Sequence, residues 1–124
     1  WFVKNPEWYD VIVTNNMFGD IVTDLGAQLQ GGLGMAGSGN IHPGQTSLFE
    51  PVHGSAPKYA GKNVANPIAA ILTVEMMLDT LGHSAAAGDV SKAVKKALDE
   101  NQVPAELGGE LGTKEVGDFI ASAV

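Results

Sequence analysis

Residues 16–25 read NMFGDIVTDL and follow directly on the apolar residues 11–13. In a helix, Asp20 and Asp24 are one turn apart, so both carboxylates point from the same face. Two such carboxylates can hold a hard divalent cation, which polarises a hydroxy acid and stabilises an enolate. Acidic residues near the start of a helix also complement the helix dipole. The spacing alone leaves both interpretations open.

The sequence around this segment predicts a strand followed by a helix. Residues 10–14, DVIVT, are β-branched and apolar, which is typical of a short buried strand. Asn15 or Asn16 can cap the helix, and the glycines at 31–32 are expected to end it. Apolar side chains recur at every fourth position of this helix: Ile21, Leu25 and Leu29.

Extended segments and three more helices are expected downstream. The glycine-rich residues 31–44 predict a crossing between domains and a short strand, and residues 47–52 predict another extended segment. Within the latter, Pro51 disfavours a central position in a sheet. The three helices are expected to begin at Asn66-Pro67, at Ser84 and at about Thr113, which is a good cap.

The apolar patterns of these helices predict how they pack. The first is apolar on nearly every side and is expected to be well buried. The second is expected to bury one stripe, opposite a solvated face with three lysines, and the third to bury one face as well. The stripe of the second helix consists of Val90, Val94, Ala97 and Leu98, and the buried face of the third of Val116, Phe119 and Ile120. The order of elements predicts an α/β fold, and no GxGxxG motif supports a Rossmann nucleotide site.

Composition excludes several classes of function. The chain has 124 residues, enough for one modest core, and a formal net charge of -7. This charge disfavours broad binding to nucleic acid or to an anionic membrane, although a local basic pocket for a phosphate stays possible. The absence of cysteine excludes disulfides and thiolate sites and fits a cytoplasmic protein.

The chain begins at Trp1 without an initiator methionine, in the middle of an apolar pattern. We therefore expect a segment of a longer polypeptide rather than a processed natural terminus. No apolar run reaches transmembrane length and no secretory signal is visible.

Residues 50–67 place small, cationic and aromatic side chains in one loop ahead of a helix. Small residues at 54–56 let backbone N–H groups approach a ligand closely. Lys58 offers charge to a phosphate, and Tyr59 offers a hydroxyl group or a ring. A plain surface loop with a helix cap at Asn66 and a structural His53 is the alternative.

Taken together, the two segments resemble the metal-dependent β-decarboxylating dehydrogenases, the isocitrate/isopropylmalate dehydrogenase family. NMFGDIVTDLG at residues 16–26 resembles the family's signature helix, and LFEPVHGSAPKYAGKNVANP at residues 48–67 resembles its cofactor loop. The resemblance extends from about residue 10 to the C-terminus. It implies the C-terminal portion of the family's non-Rossmann α/β fold, with three helices after the cofactor loop. Residues 1–31 would end the second, substrate and dimerisation domain, and residues 32–124 would form part of the first, cofactor-binding domain.

The resemblance also implies roles for individual residues. Asp20 and Asp24 would help to coordinate Mg²⁺ or Mn²⁺ beside the substrate. Asn16 and Glu50 would lie near the nicotinamide of NAD or NADP, and Asn66 would hydrogen-bond adenine. The full set of implied cofactor-binding residues is Asn16, Glu50, His53, Gly54, Ser55, Ala56, Lys58, Tyr59 and Asn66.

Lys58 and Tyr59 discriminate between the two cofactors. NAD-preferring members of the family carry Asp-Ile here, and the carboxylate would repel a 2′-phosphate that a Lys-Tyr pair can bind. The pair therefore points to NADP or to relaxed choice. The Tyr and Arg that bacterial NADP-dependent isocitrate dehydrogenases add from a later segment are absent around residues 104–109.

The resemblance implies oxidative decarboxylation of a 2-hydroxy acid of malate type. Residues 15–20 and 107–113 resemble isopropylmalate dehydrogenases, so 3-isopropylmalate, an acid of leucine biosynthesis, is the expected substrate. Isocitrate is the alternative that the Lys58-Tyr59 pair favours.

The family's catalytic Tyr and Lys, substrate arginines and third metal aspartate have no match in this chain, so no catalytic residue is assigned. The family places that Lys and that aspartate across a homodimer interface, which implies a shared active site. A non-catalytic nucleotide-binding subunit and a pure interaction module are the competing classes, and neither nucleic acid nor membrane is expected as a partner.

Overall fold

The structure, a computed structural model describing residues 1–124, contains four α-helices and one two-stranded antiparallel sheet. Strand β1 (Gly37–Asn40) pairs with β2 (Leu48–Pro51), with Gly37 opposite Pro51. Short 3₁₀ turns connect the larger elements. The four helices are α1 (Asn16–Leu29), α2 (Ile68–Thr80), α3 (Ser84–Asp99) and α4 (Thr113–Ala123). The predicted α/β content and the three helices after the loop are confirmed.

The strand predicted at residues 10–14 is wrong, because these residues pair with no other segment. Val11 is 82% exposed and Val13 92%. A strand needs a neighbour for its backbone hydrogen bonds, and the chain's one sheet consists of β1 and β2 alone. The β-branched composition favours a strand, but this chain provides no second strand with which residues 10–14 could pair.

Helix α1 begins and ends where the sequence predicts. The Asn15 side chain accepts a hydrogen bond from the Phe18 N–H at 3.2 Å, so Asn15 rather than Asn16 is the cap. Beyond the helix, Gly31 and Gly32 adopt positive φ angles of 117° and 96°, which glycine tolerates without strain. None of residues 1–31 is buried, and the apolar side chains at the predicted fourfold spacing in α1, Ile21, Leu25 and Leu29, are exposed.

The hairpin of β1 and β2 packs against α2. A Cβ at Gly37 would lie 3.1 Å from the Thr73 hydroxyl, so only glycine allows β1 to approach the helix this closely. Helix α2 itself is less buried than expected. Ile68, Ala69 and Thr73 are buried, whereas Val74 is exposed, because the hairpin and α3 do not surround the helix.

The core lies between α2, α3 and α4. Its buried residues are Ile68, Ala93, Val94, Ala97, Val103, Val116 and Ile120. The predicted α3 stripe is confirmed at Val94 and Ala97 but wrong at Leu98, which is exposed. On the opposite face Lys92 pairs with Asp89 and Lys95 with Asp99, each at 2.8 Å, so this face is solvated as predicted. In α4, Val116 and Ile120 are buried and Phe119 is half-buried.

The cap predicted for α4 is wrong. The Thr113 hydroxyl donates to the Ala65 carbonyl at 2.5 Å instead of capping its own helix. The side chain of Asn63, in the loop before α2, accepts the Lys114 N–H at 2.8 Å. Sequence patterns predict only caps that are adjacent to the helix in the sequence, so they could not predict this long-range cap. No helix in the structure has the length and apolar character needed to cross a membrane.

Candidate functional site

A cavity of about 700 Å³ lies between the loop that follows β2 and the start of α2. It joins three parts of the chain: this loop, the 3₁₀ turn Leu33–Met35 and the 3₁₀ turn Ala105–Leu107. The lining residues are Leu33, Gly34, His53, Gly54, Ser55, Ala56, Tyr59, Val64, Ala65, Asn66 and Glu106. A cavity of this size can take a nucleotide.

Asn66 is 8% exposed and presents part of its amide toward this cavity. Its Oδ1 accepts the Ile68 N–H at 3.0 Å and so caps α2, as predicted. Its Nδ2 finds only the Met35 sulfur, at 4.0 Å, and therefore keeps donor capacity. A Cβ at Gly34 would lie 2.9 Å from this Nδ2 and 2.7 Å from the Glu106 carboxylate, so glycine keeps this cradle open.

His53 also lines this cavity. Its Nδ1 lies 2.9 Å from the Gly54 carbonyl, which can only accept, so Nδ1 carries a hydrogen and donates it. Nε2 is buried without a hydrogen-bond partner, which is costly for a polar atom.

Tyr59 stands at the junction of this cavity and a smaller one of about 440 Å³. Ala56, with φ 41°, takes a left-handed conformation that starts the 3₁₀ turn carrying Tyr59. The Lys58 ammonium lies 4.7 Å from the centre of the Tyr59 ring, a cation–π contact. Lys58 lines neither cavity, and the only charged residue lining the smaller one is Lys114 at the start of α4.

The two aspartates are exposed on α1, one turn apart, as the spacing predicts. The Asn16 amide donates to Asp20 at 3.1 Å. No group of three or more Asp, Glu, His or Cys residues that could hold a metal ion occurs in the chain. Asp20 and Asp24 therefore fit a hard cation in type but not in number. Neither Asn16 nor Glu50 lines the two cavities.

The structure thus gathers six of the nine predicted cofactor-binding residues around the larger cavity, namely His53, Gly54, Ser55, Ala56, Tyr59 and Asn66. Sequence reasoning missed Gly34, Glu106 and Lys114. Glu106 lies in the segment 104–109, where the sequence prediction concerned only tyrosine and arginine. Nothing in the sequence near Gly34 or Lys114 signals that the fold brings them to the loop.

Comparisons with known proteins place this geometry in context. A family model described as isocitrate/isopropylmalate dehydrogenase matches residues 1–120. A 3-isopropylmalate dehydrogenase from Thermobifida fusca is 50% identical over 126 residues, covering 100% of this chain and 35% of the relative. An isocitrate/homoisocitrate dehydrogenase from Thermus thermophilus is 52% identical over 122 residues, covering 98% of this chain and 36% of the relative. The chain thus spans about a third of the length of these curated relatives.

A solved structure gives the same result for the fold. The crystal structure of isocitrate dehydrogenase from Methylococcus capsulatus superposes with a TM-score of 0.91 at 40% sequence identity. The match covers 98% of this chain and 37% of that one.

Proposed function

This chain belongs to the isocitrate/isopropylmalate dehydrogenase family, and we propose on that basis that it serves NAD(P)-dependent oxidative decarboxylation of a malate-type 2-hydroxy acid. Its share of the work would be to bind the dinucleotide and to supply two metal ligands. The observation that carries the proposal is the cavity around residues 53–66, which six of the nine predicted cofactor-binding residues line, among them Asn66 with an amide that keeps donor capacity. We assign no proton-transfer group to any residue of this chain.

The residues around the cavity fit a dinucleotide. Bound NAD(P)⁺ supplies the hydride acceptor of the reaction. The Asn66 Nδ2 would donate to an acceptor nitrogen of the purine ring. Gly34 leaves room for a flat ring beside the Glu106 carboxylate.

Asp20 and Asp24 would hold Mg²⁺ or Mn²⁺ together with ligands from outside this chain. Such an ion supplies Lewis acidity to the substrate hydroxyl and carboxylate oxygens. The exposed carboxylates on one face of α1 support this proposal, and the lack of a third ligand in the chain explains why they do not suffice.

Cofactor choice rests on the charges around Tyr59, and they favour NADP. Lys58 lies over the Tyr59 ring, and Lys114 lines the smaller cavity with it. Lys114 comes from a later segment than residues 104–109, where the sequence offers no cation. Two lysines around Tyr59, one over its ring and one lining the same cavity, would favour the 2′-phosphate of NADP.

The proposed substrate is 3-isopropylmalate, with isocitrate as the alternative. The relatives named for these acids, and for homoisocitrate, match the chain at nearly equal identity, so identity does not separate them. A non-catalytic nucleotide-binding subunit is the second candidate function. Retention of both Asp20 and Asp24 favours the enzyme over it.

We also propose the domain division, partners and location that the resemblance implies. Residues 1–31, none of which is buried, would end a second domain, and residues 32–124 would belong to the cofactor-binding domain. The natural protein would act as a cytoplasmic homodimer with a shared active site. The net charge of -7 disfavours nucleic acid and membrane as partners.

The test is a rate matrix on the natural polypeptide that contains these residues, whose mass should be measured first. Isopropylmalate, isocitrate and homoisocitrate are each assayed with NAD⁺ and NADP⁺, with and without Mn²⁺. We expect metal-dependent reduction of NADP⁺ with isopropylmalate, and Asp20→Asn should weaken Mn²⁺ binding and abolish most turnover. If none of the six pairs of substrate and cofactor gives turnover in the presence of Mn²⁺, but the protein binds nucleotide, the non-catalytic subunit would be supported instead.

A further inference from the structure

The loop that lines both cavities is held to the rest of the molecule by one helix end. Every hydrogen bond that leaves residues 55–65 goes to the first turn of α4. Within the loop, the remaining bonds are local, such as that from the Tyr59 N–H to the Ala56 carbonyl. The conformation of this segment therefore depends on its attachment to α4.

Asn63 is the centre of this attachment. Its Oδ1 accepts the Lys114 N–H and its Nδ2 donates to the Glu115 carboxylate, both at 2.8 Å. Its backbone carbonyl accepts the Thr113 N–H at 3.2 Å. Asn63 makes these contacts from a left-handed conformation, with φ 56°, which asparagine adopts more readily than most residues.

The helix end is built to receive this side chain. A Cβ at Gly112 would collide with the Asn63 amide nitrogen and approach the Glu115 carboxylate, so glycine leaves the space that the amide occupies. Helix α4 is itself fixed in the core by Val116 and Ile120. The pair Asn63 and Glu115 thus connects a rigid helix to an exposed loop.

We propose that Asn63 and Glu115 are positioning residues for dinucleotide binding, holding residues 59–66 in the shape that presents Tyr59 and Asn66 to the cavity. The inference rests on the proposed function, because it assigns the ligand of that same cavity. Neither residue would touch the reacting atoms. Their loss should weaken nucleotide binding and leave the chemical step intact.

The decisive variant is Asn63→Gly in the natural polypeptide, because glycine keeps the positive φ while removing both side-chain bonds. We expect the Kd and KM for NADP⁺ to rise about fivefold, which corresponds to the loss of one to two hydrogen bonds. The kcat should change less than about twofold. Glu115→Ala should reproduce the effect in part, and it carries the test should Asn63→Gly fail to fold. Glu115→Gln should restore near-normal binding, because its amide oxygen still accepts from Asn63.

Asp118→Ala is the matched control, since it removes an exposed carboxylate from the same helix without touching the loop. A KM for NADP⁺ within about twofold of the natural value in both Asn63→Gly and Glu115→Ala would overturn the inference and leave the proposed function standing. A fall in kcat with no change in nucleotide Kd would also overturn it. A natural protein that binds neither NADP⁺ nor NAD⁺ would overturn the proposed function and this inference together.

Discussion

At the scale of residues, Tyr59 is the side chain around which the proposed cofactor preference is argued. Tyr59 lines both cavities, whereas Lys58 lies over its ring and lines neither. The loop's motif could be identified from the sequence because residues 53–59 are contiguous. Glu106 and Lys114 could not, because they reach the loop only through the packing of the three C-terminal helices.

The charge at residue 58 should set cofactor preference. Lys58→Asp replaces a cation by an anion beside the proposed 2′-phosphate position, so the ratio of kcat/KM for NADP⁺ to that for NAD⁺ should fall at least about tenfold. Lys62→Asp makes the same charge change in the same loop, at a lysine that does not lie over the Tyr59 ring as Lys58 does, and should alter the ratio far less. An unchanged ratio in Lys58→Asp would contradict the NADP assignment.

At the scale of elements, the sequence predicted the four helices and the two extended segments that form β1 and β2, and it was wrong only about a strand at residues 10–14. Helices make their hydrogen bonds within one segment, so periodic apolar residues and an Asn15 cap suffice to place α1. A strand depends on a partner, and residues 10–14 have none in this chain. The same reasoning applies to α4, whose cap comes from Asn63, 51 positions away in the sequence.

The attachment of α4 should also give stability a dependence on pH. The hydrogen bond from Asn63 holds the pKa of Glu115 below its ordinary value, with smaller help from its own backbone and from the adjacent Lys114. A lowered folded-state pKa means that this stabilisation is present above the ordinary pKa and is lost as pH falls through the lower one.

Glu115→Gln removes the titration but keeps an acceptor for Asn63. The Tm difference between the natural protein and Glu115→Gln should therefore be largest near neutral pH and shrink on acidification below the lowered pKa of Glu115. Thermal unfolding monitored by circular dichroism across acid pH measures it, with Asp118→Asn as the control on the same helix. A difference that stays constant from neutral to acid pH would show that the Glu115 charge contributes no stability.

At the scale of the whole molecule, burial is unevenly distributed along the chain. The buried side-chain core falls between residues 66 and 120, whereas none of residues 1–31 is buried. The proposed nucleotide cavity lies at the edge of this core, because Asn66 lines the cavity and also accepts a hydrogen bond from the backbone of Ile68, a core residue. The Asn66 cap therefore connects the packed helices to the cavity, and we expect damage to the helix packing to reach the cavity through this cap.

Ile68 is the residue through which such damage can be tested. It is 0% exposed and lies in the core next to the Asn66 cap. Ile68→Ala should lower the free energy of unfolding by about 2–5 kcal/mol, the usual range for such a cavity. It should also raise the KM for NADP⁺. The Asn66 amide accepts the backbone N–H of residue 68, so a shift of this backbone into the new cavity would displace the amide. Ile41→Ala, at a residue that is 50% exposed, should cost less than about 1 kcal/mol and leave that KM unchanged. Guanidinium unfolding and steady-state kinetics on the natural polypeptide measure both effects, and equal losses at the two positions would contradict the location of the core.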